Sequence, residues 1–145
     1  MNRLGPVVDA SVALKWVVQE EHSTQSRRLL VDFADALLFA PSLLPAEVTN
    51  ALHQRCRQGR MSDVEADTAL KQFLDAGVRL LSPDALYPET LTLARALGLR
   101  ATYDGLYVAL ARQLSTELWT ADERLLSATS TLAPWVRWIG NYSSP

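Results

Sequence analysis

Four acidic residues, each placed near the start or the end of a predicted strand or helix, are the side chains best suited to chemistry in this sequence. They are Asp9, Glu47, Asp104 and Asp122. Carboxylates a few ångströms apart repel one another and raise each other's pKa unless a cation lies between them. Mg²⁺ and Mn²⁺ favour carboxylate oxygens and keep several waters that substrate phosphates displace. The four acids therefore indicate a hard-metal site, provided that the fold brings them together.

Each acid taken singly also has an explanation that needs no function. An acid in the first turn of a helix is stabilised by the helix dipole by ~0.3–1 kcal/mol. Asp104, however, shares a helical face with Tyr107 and Val108 in an apolar helix that is predicted to pack inward. A carboxylate beside a buried face is costly unless something compensates it, and this weakens the dipole explanation for Asp104.

Other metals and redox chemistry find little support in the sequence. The two histidines, His22 and His53, are isolated, and the single cysteine, Cys56, has no partner at a catalytic or zinc-binding spacing. Zinc sites in proteins are built from such Cys and His groups. One cysteine also excludes an internal disulfide and fits a reducing cytoplasm, so we expect a cytoplasmic protein without a zinc site.

The first acid, Asp9, directly follows a segment with a clear strand pattern. Val7 and Val8 form a β-branched pair that predicts a short buried strand, which ends at Asp9. Ser11 has the character of an N-cap for a helix over Val12–Val18. Ligands of open α/β sheets bind beyond the carboxyl ends of the strands, which is where we expect Asp9 to lie.

Strand-like and helix-like segments alternate along the rest of the chain. Further strands are predicted over Ala36–Ala40, Val78–Leu81, Glu117–Thr120 and Val136–Ile139. Helices are predicted over Thr24–Asp35, Pro45–Gln58, a segment from the capping box at Ser62 to Ala76, Leu86–Leu97, Tyr103–Leu114 and a turn at Asp122–Ser127, with stops at Gly59, Gly77 and Gly98. This alternation predicts a parallel, five-stranded sheet flanked by helices, a three-layer α/β sandwich.

Composition sets wider limits on the class of protein. The 145 residues are 48% hydrophobic and 21% charged, with a net charge of −2, which fits one domain over residues 1–145. The chain shows no apolar run of membrane-spanning length and no secretory signal pattern. Its basic cluster of Arg55, Arg57 and Arg60 falls at the far end of a helix, where we expect a solvated terminus.

The acids and their neighbours together resemble a known family. The chain closely resembles the PIN-domain ribonucleases, and more narrowly the VapC toxins of bacterial and archaeal toxin–antitoxin pairs, along essentially its whole length. The resemblance is carried by four segments in order: Val7-Val-Asp9-Ala-Ser11, Leu44-Pro-Ala-Glu47-Val, Thr102-Tyr-Asp104-Gly-Leu-Tyr-Val-Ala-Leu-Ala111 and Thr120-Ala-Asp122-Glu-Arg-Leu125.

This resemblance implies a specific set of properties. The four acids would hold one or two Mg²⁺ or Mn²⁺ ions and cleave phosphodiester bonds in structured RNA such as tRNA or rRNA. Ser11 and Thr120 occupy the positions of hydroxyl residues that support the acidic pocket. The family usually forms homodimers and is inhibited by a cognate VapB-type antitoxin.

Three rival interpretations share parts of this pattern. A PIN nuclease of RNA processing would use the same residues, and a catalytically silent PIN-fold binding module would keep the fold, although four intact acids argue against it. A phosphoacceptor receiver domain requires an aspartate after the third strand and a lysine after the fifth. Here Ser82-Pro83 and Gly140-Asn141 stand at those positions, which excludes the receiver interpretation.

Overall fold

Each of the first four strands is short, and its carboxyl end is followed within a few residues by a helix. The computed structural model describes residues 4–35 and 37–145. The strands are β1 (Val7–Val8), β2 (Phe39–Ala40), β3 (Arg79–Leu80), β4 (Leu118–Thr120) and β5 (Val136–Trp138). The helices are α1 (Ala10–Val17), α2 (Ser23–Asp32), α3 (Leu44–Arg57), α4 (Asp63–Asp75), α5 (Leu86–Leu97), α6 (Tyr103–Gln113) and α7 (Glu123–Thr129).

The five strands form one parallel sheet in the order β3-β2-β1-β4-β5. From the central β1 the chain builds outward to β2 and β3, and then crosses to the other side to add β4 and β5. The direction of winding therefore reverses between β1 and β4. In open α/β sheets ligands bind at such a switch point, beyond the carboxyl ends of the strands. The predicted three-layer α/β fold is confirmed.

The helices bury the sheet and bring the starts of several helices near the switch point. α1 packs against α2, α3 and α4, whereas α5 packs on α6, and α6 lies against β1 and β4. The strands β1, β2 and β4 are buried, and both edge strands place an exposed arginine at the rim of the sheet, Arg79 on β3 and Arg137 on β5. Charged side chains on edge strands discourage pairing with other chains.

Most predicted element boundaries agree with the structure, and the exceptions have local causes. α5 spans the predicted Leu86–Leu97. The predicted helix over 24–35 ends earlier, at Asp32, where Phe33 leaves the helical conformation and the next N–H, that of Ala34, bonds to the Val31 carbonyl three residues back instead of four. The predicted strand over 36–40 is reduced to Phe39–Ala40, and Ala36 lies outside the described residues.

Local capping signals in the sequence translate directly into structure. Ser62 and Glu65 form the predicted reciprocal capping box at the start of α4. The three glycines predicted to stop helices all adopt left-handed backbone conformations: Gly59, Gly77 and Gly98. None of the helices within the described part of the chain combines the length and hydropathy that a membrane crossing requires.

Candidate active site

The four predicted acids line one cavity at the switch point of the sheet. The cavity measures about 290 Å³, and its walls include Asp9, Glu47, Asp104 and Asp122. Asp9 follows β1, Glu47 and Asp104 lie in the first turns of α3 and α6, and Asp122 precedes α7. Residues separated by more than a hundred positions in the sequence thus converge because parallel strands end at the same edge.

Asp9 is the most deeply buried of the four, with 6% of its surface exposed. The Ser11 hydroxyl donates a hydrogen bond to Oδ1 and the Thr120 hydroxyl donates one to Oδ2, both at 2.5 Å. Burial raises the pKa of Asp9 to about 6, although both hydroxyls and the Val12 N–H lower it. The two oxygens are therefore held in fixed directions, and the carboxyl lies close to its protonation boundary at neutral pH.

The N-terminus of α1 differs from the prediction. The N-cap is Asp9, whose Oδ1 accepts the Val12 N–H at 3.2 Å, and not Ser11, which lies in the first turn of the helix. The Ser11 hydroxyl instead accepts the Ala121 N–H at 2.8 Å while it donates to Asp9. Ser11 therefore connects the end of β1 to the segment after β4, because its long-range partner outcompetes local capping.

Glu47 has a partner that sequence reasoning missed. The hydroxyl of Tyr107, a residue of α6, donates a short hydrogen bond to Glu47 Oε1 on α3. Partial burial raises the pKa of Glu47, the bond to Tyr107 lowers it, and the Asp104 charge raises it further. Burial, followed by this bond to a carboxylate, raises the pKa of the Tyr107 hydroxyl, which keeps it a donor. Tyr107 lies three residues after Asp104 on the same helical face, and this spacing was the signal in the sequence that could have identified it as a site residue.

Asp104 and Asp122 face the more open side of the cavity. Partial desolvation and then the nearby Asp122 charge raise the pKa of Asp104. Asp122 Oδ1 accepts the N–H groups of Arg124 and Leu125 at 2.9 and 3.3 Å, so Asp122 caps α7. Within residues 4–35 and 37–145 the Asp104 side chain is exposed and accepts no hydrogen bond, which leaves its oxygens available to a ligand.

Comparison with known proteins identifies this arrangement. The PIN domain family matches residues 7–130. The chain belongs to the PIN-domain family. It is 34% identical to ribonuclease VapC3 of Pyrobaculum aerophilum over 122 residues, which cover 82% of this chain and 90% of that one. It is 30% identical to ribonuclease VapC9 of Mycobacterium tuberculosis over 131 residues, or 88% and 94% of the two chains. The predicted resemblance to VapC-type PIN ribonucleases is confirmed.

A solved structure shows the same fold. The crystal structure of PAE2754 from Pyrobaculum aerophilum superposes with a TM-score of 0.71, at 24% sequence identity, and the match covers 94% of this chain and 92% of that one. At this level of identity the likeness concerns the architecture.

An ion-pair cluster connects α1, which Asp9 caps, to α3, which carries Glu47. Glu20 accepts from Lys15 Nζ of α1 at 3.2 Å and from Arg55 Nη2 of α3 at 2.8 Å. The side chains of Lys15 and Arg55 are only 10% and 16% exposed. The expected solvated position of Arg55 is therefore wrong, because Glu20, distant in sequence, neutralises it at the α1–α3 contact.

The donor set of the PIN pocket fits a hard divalent cation. Asp9, Glu47 and Asp104 have raised pKa values, first because burial desolvates them and then because another carboxylate in the same cavity repels the charge of each. As the side chains stand, no three His, Cys, Asp or Glu residues in the described ranges are grouped closely enough to coordinate one ion together. Mg²⁺ binds proteins through one or two carboxylates and keeps several waters, so the remaining acids fit contacts through water.

Proposed function

We propose that this PIN-domain protein is a metal-dependent endoribonuclease of the VapC type that cleaves phosphodiester bonds in structured RNA such as tRNA or rRNA. The observation that carries the proposal is the convergence of four carboxylates in one cavity at the switch point of the sheet. The curated relatives that are 30–34% identical over most of the chain are named ribonucleases.

The proposed cofactor is Mg²⁺ or Mn²⁺, held by Asp9, Glu47, Asp104 and Asp122 directly or through waters. When bound, such an ion activates a water for in-line attack and neutralises charge that develops on the phosphate and the leaving oxygen. The chain contributes the positioning. Ser11 and Thr120 fix both oxygens of Asp9, and Tyr107 fixes one oxygen of Glu47. Asp104 is exposed and accepts no hydrogen bond in the described ranges, so its oxygens are available to the metal or to its waters.

The proposed partners are a VapB-type antitoxin that inhibits the enzyme and a second copy of the chain, in the cytoplasm. The resemblance to VapC toxins, whose name the curated relatives carry, supports the antitoxin. Exposed apolar side chains on two helices support the homodimer: Val31 on α2 is 67% exposed, and Val64 and Leu74 on α4 are 74% and 59% exposed. Apolar surface of this kind is a common feature of protein interfaces.

The test is cleavage of a labelled pool of total tRNA and rRNA by purified protein free of any antitoxin. We expect discrete fragments with Mg²⁺ or Mn²⁺, none with EDTA, and at least about a hundredfold loss in Asp104→Asn because a ligand of the reaction centre is neutralised. Asp84→Asn removes an exposed acid outside the cavity and is the matched control, with unchanged cleavage. Equal activity of wild type and Asp104→Asn, or cleavage that survives EDTA, would contradict the proposal.

Mn²⁺ binding provides a second readout that does not depend on finding the RNA target. Titration calorimetry of wild type should show binding that weakens in Asp104→Asn and stays unchanged in Asp84→Asn. A folded protein that neither binds Mn²⁺ nor cleaves the RNA pool would instead be a silent PIN-fold binding module. A neighbouring antitoxin gene and growth arrest on expression separate a toxin from a PIN nuclease of RNA processing.

A further inference from the structure

A second cleft adjoins the acidic cavity and shares three of its acids. It measures about 430 Å³, and Glu47, Asp104 and Asp122 form the wall common to both. From there it runs between the α5–α6 connection, residues 98–101, and the first turns of α6 and α7. Its volume lies within the roughly 300–1,000 Å³ of sites that hold small organic groups. The cleft therefore extends the acidic cavity toward the exposed connection between α5 and α6.

The side chains along this cleft have the chemistry of nucleotide contacts. Arg100 and Arg124 line it, both exposed, together with Tyr103, which is 60% exposed at the start of α6. Leu99 and the buried Leu125 supply an apolar surface between them. Arginine binds phosphate through two parallel hydrogen bonds, and exposed tyrosine rings stack on unpaired RNA bases.

The two arginines are available for such contacts. Neither side chain forms an ion pair or hydrogen bond with any residue in 4–35 or 37–145, although three carboxylates line the same cleft. By contrast Arg55, Arg112 and Arg137 each pair with a glutamate. Unpaired guanidinium groups beside an acidic centre attract a polyanion to a surface that would otherwise repel it.

From this geometry we infer that the cleft binds the nucleotide next to the scissile bond, with Arg100 and Arg124 on its phosphates and Tyr103 stacked on its base. The inference rests on the proposed function, since it assigns the path of the RNA at the proposed site. An anionic backbone matches two arginines, and an unpaired base matches an exposed ring with an apolar floor.

The test measures RNA binding separately from cleavage. Unfractionated, end-labelled tRNA is titrated with protein in the presence of Mg²⁺, and binding is measured on filters. The parent protein is Asp104→Asn, which we expect to bind RNA without cleaving it. Four further changes are added to this parent one at a time: Arg100→Ala, Arg124→Ala, Tyr103→Ala and Tyr103→Phe. Each arginine variant should bind about five- to tenfold more weakly and lower the salt slope of log K by about one. Tyr103→Ala should lose about tenfold, and Tyr103→Phe, which keeps the ring, should retain affinity.

Arg79→Ala is the matched control, because Arg79 is exposed on the edge strand β3 and does not line the cleft. It should leave tRNA affinity and salt slope unchanged. If wild type cleaves RNA with metal while the Arg100 and Arg124 variants bind like Arg79→Ala, the cleft is not the RNA path and the inference is overturned with the proposed function intact. If wild type shows no metal-dependent cleavage in any RNA pool, the proposed function itself is wrong.

Discussion

The hydroxyl of Thr120 donates a 2.5 Å hydrogen bond to Oδ2 of Asp9, and its oxygen accepts the backbone N–H of Asp122 at 3.1 Å. A single buried hydroxyl at the end of β4 thereby fixes one acid by contact with its carboxylate and another through its backbone. The Ser11 hydroxyl makes a similar connection, because it donates to Asp9 Oδ1 and accepts the backbone N–H of Ala121. The adjacent strands β1 and β4 are thus joined at the point where the candidate site opens.

Replacing Thr120 by valine tests this connection. Thr120 is fully buried, so Thr120→Val leaves an oxygen of Asp9 and the N–H of Asp122 without their partner. We expect the free energy of unfolding in urea to fall by roughly 1–3 kcal/mol. Thr90→Val is the matched control, since the buried Thr90 hydroxyl donates at 2.8 Å to Leu86 O within its own helix. That carbonyl keeps its helical hydrogen bond, so a loss equal to that of Thr120→Val would refute the proposed role.

The raised pKa of Asp9 predicts an unusual pH dependence of stability without metal. Its pKa is about 6 in the folded protein against 3.8 for an ordinary aspartate. The contribution of Asp9 to the free energy of unfolding is therefore fully present below about pH 4 and is lost as the pH rises through about 6. At 1.36 kcal/mol per pKa unit the loss is at most roughly 3 kcal/mol. Divalent metal should restore the stability lost at neutral pH, because it compensates the ionised carboxylate.

The measurement compares urea unfolding of wild type and Asp9→Asn in EDTA between about pH 4 and pH 7. Titration of the other groups largely cancels in the difference between the two proteins. Wild type should lose stability relative to Asp9→Asn as the pH rises, so that the variant gains most at neutral pH. Parallel pH profiles of the two proteins would mean that Asp9 has an ordinary pKa.

Signals that lie within a few residues of sequence predicted much of this fold. The β-branched pair Val7–Val8, the capping box at Ser62 and the stop at Gly98 each act over one turn or less, and each reappears in the structure. The convergence of the acids was also predictable, because a parallel sheet brings strand ends to one edge whatever the loops between them. Their individual roles as ligands stay predictions.

What escaped prediction depends on partners that are distant in sequence. Asp9 and Ser11 are both good N-cap residues. The choice between them is decided by Thr120, on the neighbouring strand β4, and by Ala121, the residue after that strand. Arg55 was expected in solvent because its partner, Glu20, precedes it by 35 positions, with α2 and β2 between them. No local pattern encodes such pairs.

Glu20 provides a test of how the helices that carry the acids are held. Glu20→Gln leaves Lys15 and Arg55 largely buried without their counter-charge, and Arg55 Nε is already buried with no hydrogen-bond partner in the described ranges. Breaking a buried pair on one side costs about 3–5 kcal/mol. Because the Glu20 side chain is 25% exposed, we expect a smaller loss in urea unfolding, roughly 2–3 kcal/mol.

Asp75→Asn is the control for this prediction. The Lys71–Asp75 pair has nearly the same separation, 3.1 Å, but its side chains are 79% and 68% exposed. Its removal should change the free energy of unfolding by less than about 0.5 kcal/mol. Equal effects of the two variants would show that the position of Glu20 between α1 and α3 carries no special stability.

Tyr107 is the residue through which metal affinity is best tested without touching an acid. Tyr107→Phe removes the hydroxyl that holds Glu47 Oε1 and keeps the buried ring. The Glu47 pKa should rise and its orientation loosen, so Mn²⁺ affinity should fall by about 10- to 100-fold, as for other residues that orient metal ligands. Tyr87→Phe, with a half-exposed ring outside the cavity, should leave the Mn²⁺ titration unchanged. If both variants bind Mn²⁺ like wild type, the Tyr107 hydroxyl does not position Glu47 for the metal.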